Sequence, residues 1–161
     1  MPAKHGSNRL NAYLQIHETV MERQLRNGFV VSDELVFTPI HNGILLEGDI
    51  LCQGAIRLQV RKIIKILQGD GADALVQTVA YSYNALLPGI GNIFRYDSPH
   101  ATHNKEHHVH RYNVLNGGVQ FPIEWLTEEE HRPTLGEVID ELADWYYTHY
   151  DKVMSLRNLA P

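Results

Sequence analysis

The apolar positions of this chain follow helical spacing first and strand spacing afterwards. Leu10, Tyr13, Leu14, His17, Met21 and Leu25 share one face of a helix, and Asn27-Gly28 supplies a stop. Residues 29–40 are rich in β-branched and aromatic side chains, which predicts a strand pair or one bent strand. His41-Asn42-Gly43 predicts a tight turn, because Asn-Gly accepts positive φ. Residues 44–52 run back as a strand, and Gln53-Gly54 predicts a turn or a bulge.

The run AIRLQVRKIIKIL alternates most clearly. Ile56, Leu58, Val60, Ile64 and Ile66 point one way, while Arg57, Gln59, Arg61 and Lys65 point the other, with Ile63 among them. The basic side is either the solvated outer face of a half-buried antiparallel sheet or a floor that receives phosphates. Lys62 interrupts the apolar side and predicts a bulge or the edge of the sheet.

Gly69-Asp70-Gly71 predicts a loop, and residues 74–84 another strand, with Leu75, Gln77, Val79, Tyr81 and Tyr83 on one face. A turn at LPGIG leads to a returning strand at residues 92–96, which makes a hairpin. HHVHRYNVL alternates again and re-enters the sheet, and residues 119–125 extend a short strand after Asn116-Gly117-Gly118. Thr134 and Glu137 form a T-x-x-E capping box behind Pro133. Leu135, Val138, Ile139, Leu142, Trp145 and Tyr146 then trace a helical face that predicts core packing. The expected fold is α+β, an antiparallel sheet packed by an N-terminal and a C-terminal amphipathic helix.

Length changes this picture little. The 161 residues suit a single domain over residues 1–161, with 1–7 as a loose N-terminal tail and 98–107 as a histidine-rich loop. No apolar run reaches the roughly 18 residues of a spanning helix, and the first residues lack the apolar core of a signal peptide. A cytoplasmic protein with no membrane partner is therefore expected. Cys52, the only cysteine, lies in an apolar stretch and reads as a buried inert thiol. The net charge of −5 gives no global attraction to nucleic acid, so any RNA site must be a local basic patch.

Candidate chemistry concentrates in one place. Five of the ten histidines fall within eleven residues, His100, His103, His107, His108 and His110, just after the strand NIFRYD. Imidazole ligates metals and moves protons near neutral pH. On a strand His108 and His110 share a face and can reach one ion, whereas His107 points away. His100 or His103 can fold back from the loop as a further ligand, and Asp97 can supply an oxygen, a donor set that suits Zn²⁺, Ni²⁺ or Mn²⁺.

The same residues also suit metal-free acid–base work. Two imidazoles divide the roles of base and acid in RNA cleavage, Arg95 or Arg111 stabilises charge on the phosphate, and Asp97 orients an imidazole. His107 joins this catalytic set, and His100 supports it. Arg57, Arg61, Lys65, Tyr96, His100 and Arg111 are the candidate substrate-binding residues, and Lys105 is a further candidate for a local RNA-binding patch. Walker, dinucleotide-binding and G-x-S-x-G motifs are absent from the sequence.

The order A-Y-S-Y at residues 80–83, I-F-R-Y-D at residues 93–97 and H-H-x-H at His107, His108 and His110 resembles the TumE family of toxin–antitoxin proteins. Ser98 stands where the family pattern favours asparagine. The resemblance implies a toxin with a cognate antitoxin as partner. Three expectations stay open: a ribonuclease-like hydrolase or transesterase, a metal-dependent or metal-binding protein, and a non-catalytic inhibitory module. A homodimer is the general expectation for a small soluble chain.

Overall fold

A computed structural model describes residues 4–99 and 106–159. A two-residue strand, β1 (Asn8–Arg9), leads into α1 (Leu10–Asn27), which ends where Gly28 takes a left-handed conformation with φ 87°. Strands β2 (Val30–Asp33), β3 (Val36–Ile40), β4 (Gly43–Cys52), β5 (Arg57–Gln68), β6 (Leu75–Leu87), β7 (Gly91–Asp97) and β8 (His108–Asn113) follow. Two short strands, β9 (Val119–Gln120) and β10 (Glu124–Trp125), precede α2 (Leu135–Thr148) and α3 (Tyr150–Leu159). The expected α+β fold is the one observed. α3 is an addition: the chain bends at His149 and starts a second C-terminal helix.

All strand pairings among the described residues are antiparallel, in the order β10-β8-β7-β6-β5-β4-β2. β2 and β3 succeed one another along the same side of β4 and do not pair with each other, so residues 29–40 form one bent strand with an interruption rather than a strand pair. The jog between them crosses β4 at Gly48 (φ 146°), where an added Cβ would stand 2.3 Å from the Glu34 carbonyl oxygen. The expected turn at Asn42 is present, with φ 55°.

All three helices cover one face of the sheet. Ile50, Leu58, Val60, Tyr83, Ala85, Phe94, Tyr96 and Val109 meet Leu135, Val138, Ile139, Leu142, Tyr146 and Val153 there. A second cluster forms where Leu10 and Tyr13 of α1 rest on Leu46, Ile64 and Val76. The Thr134 capping box is formed. It contributes about 1 kcal/mol, whereas each fully buried aliphatic side chain contributes about 1.5–3 kcal/mol. The apolar face therefore sets where α2 lies, and the cap sets where it starts. Cys52 is buried as expected, and burial pushes its thiol up to about 12.

Two local expectations are corrected, and that for Lys62 is narrowed to its bulge alternative. β6 does not keep one face throughout, because the β5–β6 register shifts between Ile63 and Ile64 and leaves Val79 bulged and exposed. Val76 therefore faces the core before the bulge and Tyr83 after it. Lys62 is not at an edge, since β5 lies between β4 and β6, although that bulge adjoins it. The expected loose tail is tied down from residue 4 onward. Lys4 Nζ lies 2.8 Å from Glu137, His5 Nε2 lies 2.8 Å from the Arg132 carbonyl, and Gln77 donates to the His5 carbonyl.

Gly48→Ala tests the jog. A left-handed φ and a backbone clash together should destabilise the fold by about 1–3 kcal/mol. A lowered urea midpoint at unchanged slope would show it, and an unchanged midpoint would mean the jog is loose.

Candidate functional site

The strand register assembles the site from residues far apart in sequence. Asp97 pairs with His108 and Arg95 with His110 across β7–β8. Asp97 also pairs with Ser82, which pairs with Arg61, which pairs with Glu47. Arg95 pairs with Asn84, then Gln59, then Asp49. Directly opposed residues project from the same face of a sheet. Two polar rows thus cross five strands on the face turned away from the helices, and they end at Asp97–His108 and Arg95–His110.

At that end three donor atoms converge. Asp97 Oδ2 is 3.6 Å from His108 Nε2 and 3.8 Å from His110 Nε2. Asp97, His108 and His110 each offer a ligand atom within 4.8 Å of the others. His108 is fully buried, Asp97 is nearly so, and the His110 side chain keeps 12% of its exposure. Arg95 Nε donates to the same Asp97 oxygen at 2.6 Å. The arrangement is a buried carboxylate ringed by two imidazoles and a guanidinium, with access from the His110 and Arg95 side.

The outer contacts of the imidazoles bear on what they can hold. His108 Nδ1 lies 3.0 Å from the Glu106 carbonyl. A carbonyl only accepts, so Nδ1 carries a proton and Nε2 is the nitrogen turned to Asp97. A backbone carbonyl on the remote nitrogen is the usual support of a ligating histidine. His110 Nδ1 meets the Gln120 side-chain amide at 2.8 Å, a group that serves either tautomer by turning over. Trp125 leans on His108 with ring centroids 5.6 Å apart and walls this side of the cluster.

The other expected site residues lie elsewhere. Tyr96 and Arg111 are on the helix-covered face, as alternation from Asp97 and His110 requires. The Tyr96 hydroxyl donates to Glu141 of α2 at 2.8 Å, and Arg111 bonds Glu141, Glu124 and the Tyr96 hydroxyl. These contacts raise the pKa of Arg111 against the opposing effect of burial, and they fasten the sheet to α2. His107 also leaves the cluster. Its Nδ1 lies 2.8 Å from the Tyr81 hydroxyl and the two rings stack. Burial, with the nearby charges of Arg132, His5 and His108, brings it down to about 4.

The basic face of β5 is exposed, as expected, but largely neutralised. Arg57 pairs with Asp49 at 3.1 Å, and Arg61 approaches Glu47 at 3.7 Å. Lys65 is exposed further along β5, paired in register with Gly43 and Gln77 and away from the cluster. His100, His103 and Lys105 lie outside the described residues. Gln59 lies on the polar face as its alternation predicts, and Ser82, Asn84 and Gln120, which the sequence does not single out, join it there. An open cleft of about 580 Å³ runs over Glu47, Asp49, Gln59, Arg61, Ser82, Asn84 and Arg95, beside Asp97. The alternation Tyr81-Ser82-Tyr83-Asn84 carries a hint of it, but only the register connects those residues to Asp97.

The His107 environment has a consequence for stability. Its folded pKa lies below the unfolded value of 6.5, so the unfolded chain takes up the proton first as pH falls. Stability from this group is complete above pH 6.5 and declines toward pH 4. His107→Gln should flatten the fall in unfolding free energy across that window, and an unchanged slope would show that other groups cause it. No protein-family model, curated protein or solved structure matches the chain.

Proposed function

We propose that the protein is a metal-dependent hydrolase. Its divalent ion is held by Asp97, His108 and His110, and its anionic substrate lies in the adjoining cleft. The observation that carries this reading is the convergence of two imidazole nitrogens and one carboxylate oxygen. Ligand atoms about 2.0–2.2 Å from a tetrahedral ion stand about 3.3–3.6 Å apart. The Asp97–His108 and Asp97–His110 separations of 3.6 and 3.8 Å need only a few tenths of an ångström of closure. Full burial of His108 agrees with this reading, because a ligand can act from beneath an ion whereas a proton shuttle must reach the substrate.

Two imidazoles and a carboxylate suit Zn²⁺, Ni²⁺ or Mn²⁺ and leave coordination positions open. Such an ion supplies Lewis acidity and a water acidic enough to attack at neutral pH. Arg95 then has two roles that need no movement. Its guanidinium orients the Asp97 carboxylate, and its part-exposed edge faces the cleft, where it stabilises negative charge on a phosphoryl or carbonyl oxygen.

The Arg95–Asp97 ion pair favours a second reading. A guanidinium already balances the carboxylate, so the cluster is also suited to work without metal, with His110 as acid or base and Asp97 orienting it. The resemblance to TumE proteins supplies the biological setting of either reading. The protein is then the toxin of a pair and its partner an antitoxin, while RNA as the substrate rests on the imidazoles, Asp97 and the basic residues beside them. Arg57, Arg61 and Arg95 are all paired to acids, and Arg95 is the one whose part-exposed edge adjoins both the cluster and the cleft, where a phosphate would meet it.

Elemental analysis of the untagged protein decides between them. About one transition-metal ion per chain is expected. A ligand at a hundred times its Kd stabilises by about 2.7 kcal/mol, so chelation should lower Tm by roughly 5–10 °C for a chain of this size. His110→Ala should weaken binding at least tenfold while leaving the circular dichroism spectrum unchanged. A chain that takes up no Zn²⁺, Ni²⁺ or Mn²⁺ on titration would overturn the metal reading. RNA cleavage that persists in chelator and vanishes in His110→Ala would establish the second one.

A further inference from the structure

The helix-covered side of the sheet holds a second pocket, separated from Asp97 by the sheet itself. It encloses about 380 Å³ between α1, the start of α2 and strands β5 and β6. That volume lies within the range of small-molecule sites, about 300–1,000 Å³. Ile16, Val20 and Leu135 give it an apolar wall, and Tyr13, Tyr81 and Tyr83 an aromatic one. The strap from Lys4 to Gly6, fastened to Glu137 and to the Arg132 carbonyl, closes one side.

Lys62 projects into this pocket from the middle of the apolar face of β5. Among the described residues its ammonium has no carboxylate within 4.0 Å and makes no hydrogen bond. Its nearest compensation is aromatic, with Nζ 5.8 Å from the Tyr13 ring centroid and 6.0 Å from that of Tyr83. Contacts of that kind recover only part of what an ammonium loses on leaving water. Burial draws Lys62 down to about 8, a value at which it is still largely charged near neutral pH.

The rest of the lining does not offset this charge. It contains no aspartate or glutamate, Lys4 is already paired with Glu137, and burial together with Lys62 holds His17 below its ordinary value, so Lys62 is the cation the pocket leaves unanswered. The Tyr83 hydroxyl, also without a hydrogen-bond partner among the described residues, adds a donor. Tyr13 and Thr78 are bonded to each other at 2.7 Å. One uncompensated cation at the base of an apolar and aromatic pocket is complementary to one kind of ligand: a single anionic group on an apolar body.

We propose that this pocket binds a small apolar monocarboxylate, with Lys62 as counter-ion and the body of the ligand between Tyr13, Ile16 and Val20. The proposal is independent of the metal centre, because no residue is shared with Asp97, His108 or His110.

Calorimetric titration of the chelator-treated full chain with octanoate and with 4-phenylbutyrate tests it, each set against its primary amide. The amide keeps the shape and loses the charge. Saturable binding of the acids is expected, with the amides at least tenfold weaker. Lys62→Met should remove the preference for the acid, and Val20→Trp should block acid and amide alike by filling the wall. No binding of either acid at millimolar concentration would overturn the proposal. So would equal binding of acid and amide, a result that needs no variant and holds even if Lys62→Met fails to fold. Retained acid preference in a folded Lys62→Met would also overturn it.

Discussion

The pairing register of β7 and β8 is the constraint on which the outer face depends. It sets Asp97 opposite His108 and Arg95 opposite His110. A slip of one residue would bring Tyr96 and Val109 to the outer face and bury the charged residues against α2. Such a slip is opposed from the other side of the sheet. Phe94, Tyr96 and Val109 are packed in the core, and the Tyr96 hydroxyl and Arg111 both hold Glu141. The residues that look least chemical in the segment thus keep the chemical ones aligned.

The division of labour between faces also explains how two different environments coexist in one sheet. Asp97 and His108 are as buried as core residues, yet they sit on the polar face, where Arg95 answers the Asp97 charge. Lys62 is the reverse, a cation on the apolar face with aromatic rings in place of an acid. The first arrangement concentrates opposite charges at one point. The second leaves one charge unanswered. Both are made possible by β5–β8 being central strands, whose backbones are already fully paired and leave the side chains to decide what each face does.

Much of this was legible in the sequence where the information is local. The α1 stripe, the Asn42 turn, the capping box at Thr134 and the shared face of His108 and His110 depend on spacing alone. Alternation also carried the separation of His107 from its neighbours. The same alternation places Tyr96 and Arg111 behind the sheet, and naming them as substrate-binding residues beside a catalytic Arg95 sets proximity in sequence above parity. What spacing cannot supply is pairing between distant strands. The bulge at Val79, the acids Glu47 and Asp49 that quench Arg61 and Arg57, and the partnership of Glu141 with Tyr96 all depend on which residue lies opposite which. The pocket around Lys62 was marked in advance only as an interruption of an apolar face.

The two borders of the sheet have a bearing on how the molecule behaves in a crowded solution. One border is split into β2 and β3 by the jog over Gly48, and β3 carries Pro39, which has no N–H to offer. The other closes on β10, only two residues long. An unpaired strand edge is a template for another chain, and interruption, proline and shortness are the features that spoil it. Among the described residues neither border presents a long straight run of backbone donors and acceptors. Such borders disfavour edge-to-edge growth of a ten-stranded sheet from one molecule into the next.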